Sequence, residues 1–213
     1  MPRATSDDRQ ARLAKMQAAQ RSSERRRSLL VVGVAALVSL LLIGVVVGVI
    51  VQSQGERSAV ERAAAEDIDG VEEFDEQDRN HVQTPVEYAV TPPVGGDHTP
   101  DWQTCGFYDT PITTEPGVHS LEHGAVWVTY DPELPAEQVA VLEDLAERNA
   151  FLLVSPWADG AELPSPVVAS SWQRQLALDS AEDERLEVFI AKYMQNEELT
   201  PELGAACSGG RMA

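Results

Sequence analysis

The hydrophobic positions fall into one long unbroken run followed by several short periodic ones. Leu29 to Val51 is 23 residues without a charge and with one hydroxyl, Ser39. At ~1.5 Å per residue such a helix is roughly 34 Å long, enough to cross the hydrocarbon core of a bilayer. A core helix of a soluble domain keeps a polar face, and this run has none. A signal peptide has an apolar region of only about 7–15 residues and a small-residue cleavage site. Gln52-Ser53-Gln54 offers no such site. The run therefore predicts a single uncleaved transmembrane helix, bounded at residues 28–52. Gly44 and Gly48 form a small-xxx-small pair within it, but glycine is common in such helices and the pair alone specifies no partner.

Beyond the run, two periods alternate. Val86–Val90 predicts a short strand, and residues 91–118, with Pro92-Pro93 and Gly95-Gly96, a long loop. Ala125–Tyr130 is β-branched and aromatic and predicts a strand. Pro135 opens a helix whose stripe is Val139, Leu142 and Leu145. Phe151–Val154 and Pro166–Ser170 predict two buried strands. Ser180 with Asp183 marks a helix start, and Leu186, Phe189, Ile190, Tyr193 and Met194 follow at helical spacing. The order predicts an α+β or α/β fold, a small mixed-sheet sandwich with two helices packed on the sheet, preceded by the transmembrane helix.

Charge divides the chain in the same places. Residues 1–27 carry eight of the sixteen bases and three acids, whereas residues 52–213 carry the other eight bases and 32 acids. Arg21, Arg25, Arg26 and Arg27 stand directly before the run, so the positive-inside rule puts the N-terminus in the cytoplasm and the C-terminal part outside. The expected organisation is a basic cytoplasmic arm (1–27), the membrane helix, an acidic stalk (53–80), helical or disordered, and an extracytoplasmic domain (81–213). The lipid membrane is the partner expected through residues 29–51. A net charge of −19 disfavours nucleic acid as a partner. Fourteen Arg against two Lys suits a bacterium with a GC-rich genome.

Two cysteines, Cys105 and Cys207, fall on the expected outer side, where paired cysteines form disulfides. The competing reading makes Cys105 a metal ligand near His98. A CxxC redox pair is excluded by the spacing.

All four histidines, His81, His98, His119 and His123, lie within 43 consecutive residues. Histidine is the commonest metal ligand. His119 and His123 are spaced i, i+4, which brings both rings together on a helical turn but holds them roughly 13 Å apart on a strand. Pro116-Gly117 before them and Gly124 after them predict a compact turn. The expected site has His98, His119 and His123 converging, with His81 or Glu122 as the next polar group. Three imidazoles suit copper or zinc. The alternative is that the rings only brace loop backbone. His119-x-x-Glu122-His123 also matches the H-x-x-E-H metallopeptidase signature, in which the glutamate activates water. That motif needs a long helix, whereas here a glycine and a strand follow directly. No G-x-S-x-G, phosphate loop, dinucleotide fingerprint or C-x-x-C-H occurs.

Pro92-Pro-Val-Gly-Gly-Asp-His98, Trp102, Cys105-Gly-Phe-Tyr108 and Val118-His-Ser-Leu-Glu-His-Gly124 resemble a bacterial group, domain-of-unknown-function family 3105. The resemblance covers about residues 80–208 and extends to the layout of basic arm, single span and exported domain. It implies that His98, His119, Glu122 and His123 belong to the family signature, with His81 and Cys207 fitting the pattern. Asp97 stands where many members carry proline. No activity comes with the resemblance. The functions left in contention are a non-catalytic copper or zinc binding module, a metal-dependent hydrolase, and a structural or interaction domain of the cell envelope.

Overall fold

The computed structural model describes residues 6–75, 77–158 and 162–212. Residues 1–5 of the expected basic arm, and residues 76, 159–161 and 213, lie outside the described residues. The chain divides into two units, residues 1–57 and 58–213.

The first unit is built from helix α1 (Ser6–Ala64), which contains the whole apolar run and ends seven residues into the second unit. The stretch Leu37–Ala64 is long and apolar enough to cross a membrane. Leu40, Leu41, Ile43 and Val45 are exposed on it. An exposed apolar helix of this length fits a single-pass membrane anchor.

The second unit is an α+β domain. Its strands are β1 (Val71–Glu73), β2 (Gly106–Phe107), β3 (Val126–Tyr130), β4 (Leu152–Pro156), β5 (Val167–Ser171) and β6 (Arg174–Leu178). They form one mixed sheet in the order β1-β6-β5-β3-β4-β2. Strands β2, β4 and β3 run parallel to one another, while β5 is antiparallel to β3, β6 to β5 and β1 to β6. Three helices accompany it, α2 (Thr114–Glu122), α3 (Ala136–Arg148) and α4 (Glu184–Tyr193).

The period-2 alternation of the central strands sorts the core into two layers. Val126 and Val128 of β3 and Leu152 and Val154 of β4 face a cluster with Leu142 and Leu145 of α3 and Leu186, Phe189 and Ile190 of α4. Trp127 and Leu153, the alternate residues, belong to a second cluster with Val118 and Leu121 of α2, Trp157 and Trp172. So α3 and α4 cover one face of the sheet and α2 the other.

The structure departs from the sequence expectations in five places, the first being strand β6, Arg174–Leu178, where no element was expected. Val86–Val90 is not a strand, because the Val86 amide donates to the Glu115 side chain and not to a ladder. The expected loop holds β2 and α2. Part of the expected stalk, Val71–Glu73, is an edge strand of the sheet. The second helix is capped by Asp183 alone, which accepts from the Arg185 amide, and Ser180 lies outside it.

Candidate metal centre

Helix α2 is an unusual piece of local sequence. Pro116 sits in its first turn, where the missing N–H breaks no intrahelical bond. Gly117 lets the helix lie directly on Trp127, since a Cβ there would stand 2.8 Å from the indole. Gly124, at φ +89°, takes the left-handed conformation that ends the helix. The expected compact turn is therefore a nine-residue helix, and His119, Glu122 and His123 share its face at i, i+3 and i+4. The long helix of a metallopeptidase motif is absent, as α2 stops at Glu122.

Residues 98–103 are laced to this helix. Ser120 Oγ donates to the Gln103 carbonyl at 2.7 Å, and the Gln103 amide donates to the Pro116 carbonyl at 2.9 Å. His98 is paired with residues 80–82 by a short parallel bridge, the Val82 amide donating to the His98 carbonyl and the His98 amide to the Asn80 carbonyl. Asp97 reinforces the bridge by accepting from the Asn80 amide and side chain. These contacts set the four rings side by side. Centroids are 5.0 Å apart for His81–His98, 4.8 Å for His98–His119, 4.9 Å for His81–His119 and 4.6 Å for His119–His123.

Three rings are anchored alike. His98 Nδ1 meets the Gly96 carbonyl at 2.8 Å, His119 Nδ1 the Thr99 carbonyl at 2.7 Å, and His123 Nδ1 the Ala206 carbonyl at 2.8 Å. A carbonyl only accepts, so each Nδ1 carries a proton, and such a ring in its neutral form presents its Nε2 lone pair. Backbone anchoring of this kind is how ligating histidines are oriented.

The Nε2 atoms meet carboxylates. His98 Nε2 lies 3.0 Å from Glu122 Oε2, and His81 Nε2 lies 3.9 Å from the same oxygen. His98 and Glu122 are buried, and neither of the two facing atoms has a hydrogen-bond partner besides the other. Two lone pairs face each other across this gap, which requires a cation, either a proton or a metal ion, to sit between them. Ligands each ~2.0–2.2 Å from one tetrahedral ion lie about 3.3–3.6 Å apart, so the 3.0 Å gap, a hydrogen-bond distance, would widen by a few tenths of an ångström to admit a metal.

The ligand atoms of His81, His98, His119 and Glu122 all lie within 4.8 Å of one another, and the same holds for His119, His123 and Glu202. His119 therefore belongs to both groups. Glu202, absent from the sequence expectations, stands 3.4 Å from His123 Nε2. It is one acid among 32 beyond the apolar run, and no spacing in the sequence singles it out. Trp102 packs over His119 and His123 with centroids 6.0 and 5.3 Å away. Cys105 and Cys207 are joined in a disulfide, which removes Cys105 from the ligand set.

Burial and charge compete within the cluster. Burial works to lower the His98 pKa, but Glu122, the Gly96 carbonyl and Asp97 outweigh it and hold the ring above its ordinary 6.5. Burial lowers His119, and the neighbouring histidines add to the effect, so that it titrates at about 4. Burial works to raise Glu122, but His98 and the other rings outweigh it and keep its carboxyl below the ordinary range.

Fold and site together define an α+β domain that carries a buried histidine–carboxylate cluster and follows a candidate membrane helix. The chain belongs to the DUF3105 family of proteins of unknown function, whose pattern matches residues 81–209. That range contains every residue of the cluster and both cysteines. No curated protein and no solved structure matches the chain.

Proposed function

We propose that this protein is a membrane-anchored, extracytoplasmic binding module for a transition metal of the copper or zinc type. The observation that carries the reading is the convergence of His81, His98, His119 and Glu122, whose ligand atoms all lie within 4.8 Å of one another around the buried His98 Nε2–Glu122 Oε2 pair. His81 and His119 complete a set of three imidazoles and one carboxylate around it. Such a set suits zinc or copper, whereas calcium and magnesium take oxygen ligands. The side chain of His81 is 45% exposed and gives the centre a face toward solvent.

The test is the metal content of the full-length chain purified in detergent without chelator. The expected result is near-stoichiometric copper or zinc, lost in His119→Ala and reduced by about 10-fold or more in affinity in Glu122→Gln. Wild-type protein free of both metals, with its fold intact by circular dichroism, would remove the reading in favour of rings that only brace the loops.

A further inference from the structure

We propose that the cluster holds two overlapping positions for a single ion, an entry position at His119, His123 and Glu202 and a resting position at His81, His98, His119 and Glu122. The inference rests on the metal-binding reading above and adds a route to it.

The argument starts from His119, which belongs to both groups. Its Nδ1 donates to the Thr99 carbonyl, so only Nε2 has a lone pair to give. One lone pair coordinates one ion, and the two groups therefore compete for the same ligand. The second group repeats the design of the first. The His123 ring is anchored through Nδ1 to the Ala206 carbonyl, and its Nε2 faces Glu202 Oε2 at 3.4 Å, again nitrogen lone pair toward carboxylate.

Each group has one exposed member, His81 at 45% and Glu202 at 48%, but the first has three buried ligands, His98, His119 and Glu122, against two, His119 and His123, in the second. A cation arriving from solvent is drawn to the acidic side chain of Glu202 in preference to the imidazole of His81, and gains His123 and His119 as its second and third ligands. Passage inward exchanges Glu202 and His123 for His98, Glu122 and His81, while His119 stays bound throughout. No ligand is consumed and no electron moves. The resting position offers four ligands against three, three of them buried against two, which favours the inner position at equilibrium.

Cobalt(II) is the probe, because its absorption spectrum reports the ligand set as the ion binds. Full-length protein in detergent is mixed with Co²⁺ in a stopped-flow spectrometer. Glu202→Ala should bind the same single ion with the wild-type final spectrum, but load about tenfold more slowly or worse, the scale of losing one ligand contact. Glu198→Ala, an exposed acid outside the cluster, controls for simple attraction of cations by the acidic surface and should load at the wild-type rate. In His98→Ala the ion should remain in the entry position with a different spectrum, and adding Glu202→Ala should then release it. Two ions per wild-type chain, or an unchanged loading rate in Glu202→Ala, would overturn the shared route while leaving the metal-binding reading in place. A wild-type chain that binds no Co²⁺ would take down both.

Discussion

His119 and His98 differ in how they treat a proton, and that difference bears on the pH response of the molecule. His119 is buried with its pKa lowered to about 4. An unfolded histidine takes a proton near 6.5, so this contribution to stability is complete above 6.5 and is lost as pH falls toward 4. The full loss amounts to about 3 kcal/mol at ~1.4 kcal/mol per pH unit. His98 has the opposite sign. Its raised pKa stabilises the folded state below 6.5, and that contribution fades as pH rises through the raised value. Metal-free protein should therefore lose stability in urea between about pH 6.5 and 4.5, and His119→Gln should flatten that slope. A parallel slope in the variant would exclude His119 as its source. A bound metal would compete with protons for the ligating imidazoles, so metal affinity should fall as pH drops. The clustering of these histidines was visible in the sequence, since all four lie in one short segment. Glu202 was not, because its partnership with His123 depends on the tail returning from about eighty residues away in sequence.

At the scale of elements, legibility followed amphipathicity. Strands β3, β4 and β5 and helices α3 and α4 each carry a run of apolar residues at their own period, and each formed within a few residues of its expected place. Helix α2 carries no such stripe. It is buried at eight of its nine positions and contains a proline and a glycine, so neither periodicity nor propensity announces it. Strands β1 and β2 are three and two residues long and exist through pairing with β6 and β4, a tertiary contact that no local window contains. The seat of α2 gives a direct test. In an ordinary helix Gly→Ala gains about 1 kcal/mol of propensity. At Gly117 the new methyl would meet an indole that is 1% exposed and itself fixed by a hydrogen bond to Ser155, so overpacking of about 1–3 kcal/mol opposes the gain. Gly117→Ala should lower the urea midpoint with little change in slope. A midpoint at or above wild type would mean that Trp127 yields without cost.

The whole chain joins a basic end, an apolar helix and an acidic domain whose two cysteines are paired. The paired cysteines agree with the outward orientation drawn from the arginines, since disulfides persist in oxidising compartments. Treating intact cells with a membrane-impermeant reductant and then a membrane-impermeant maleimide should label Cys105 and Cys207. Labelling confined to lysed cells would put the domain on the inner side.

The same disulfide orders events in the life of the chain. Residue 207 follows directly on Ala206, whose carbonyl orients His123, and Glu202 lies only five residues earlier. The cysteine cross-link thus fastens to the domain the short tail that completes the His123–Glu202 pair. While the thiols remain apart, that tail has one tether fewer, and half of the cluster lacks its support. Under the proposed reading, maturation of the centre would be coupled to oxidation after export, and a chain still in the reducing cytoplasm would be a poor competitor for the metal held there.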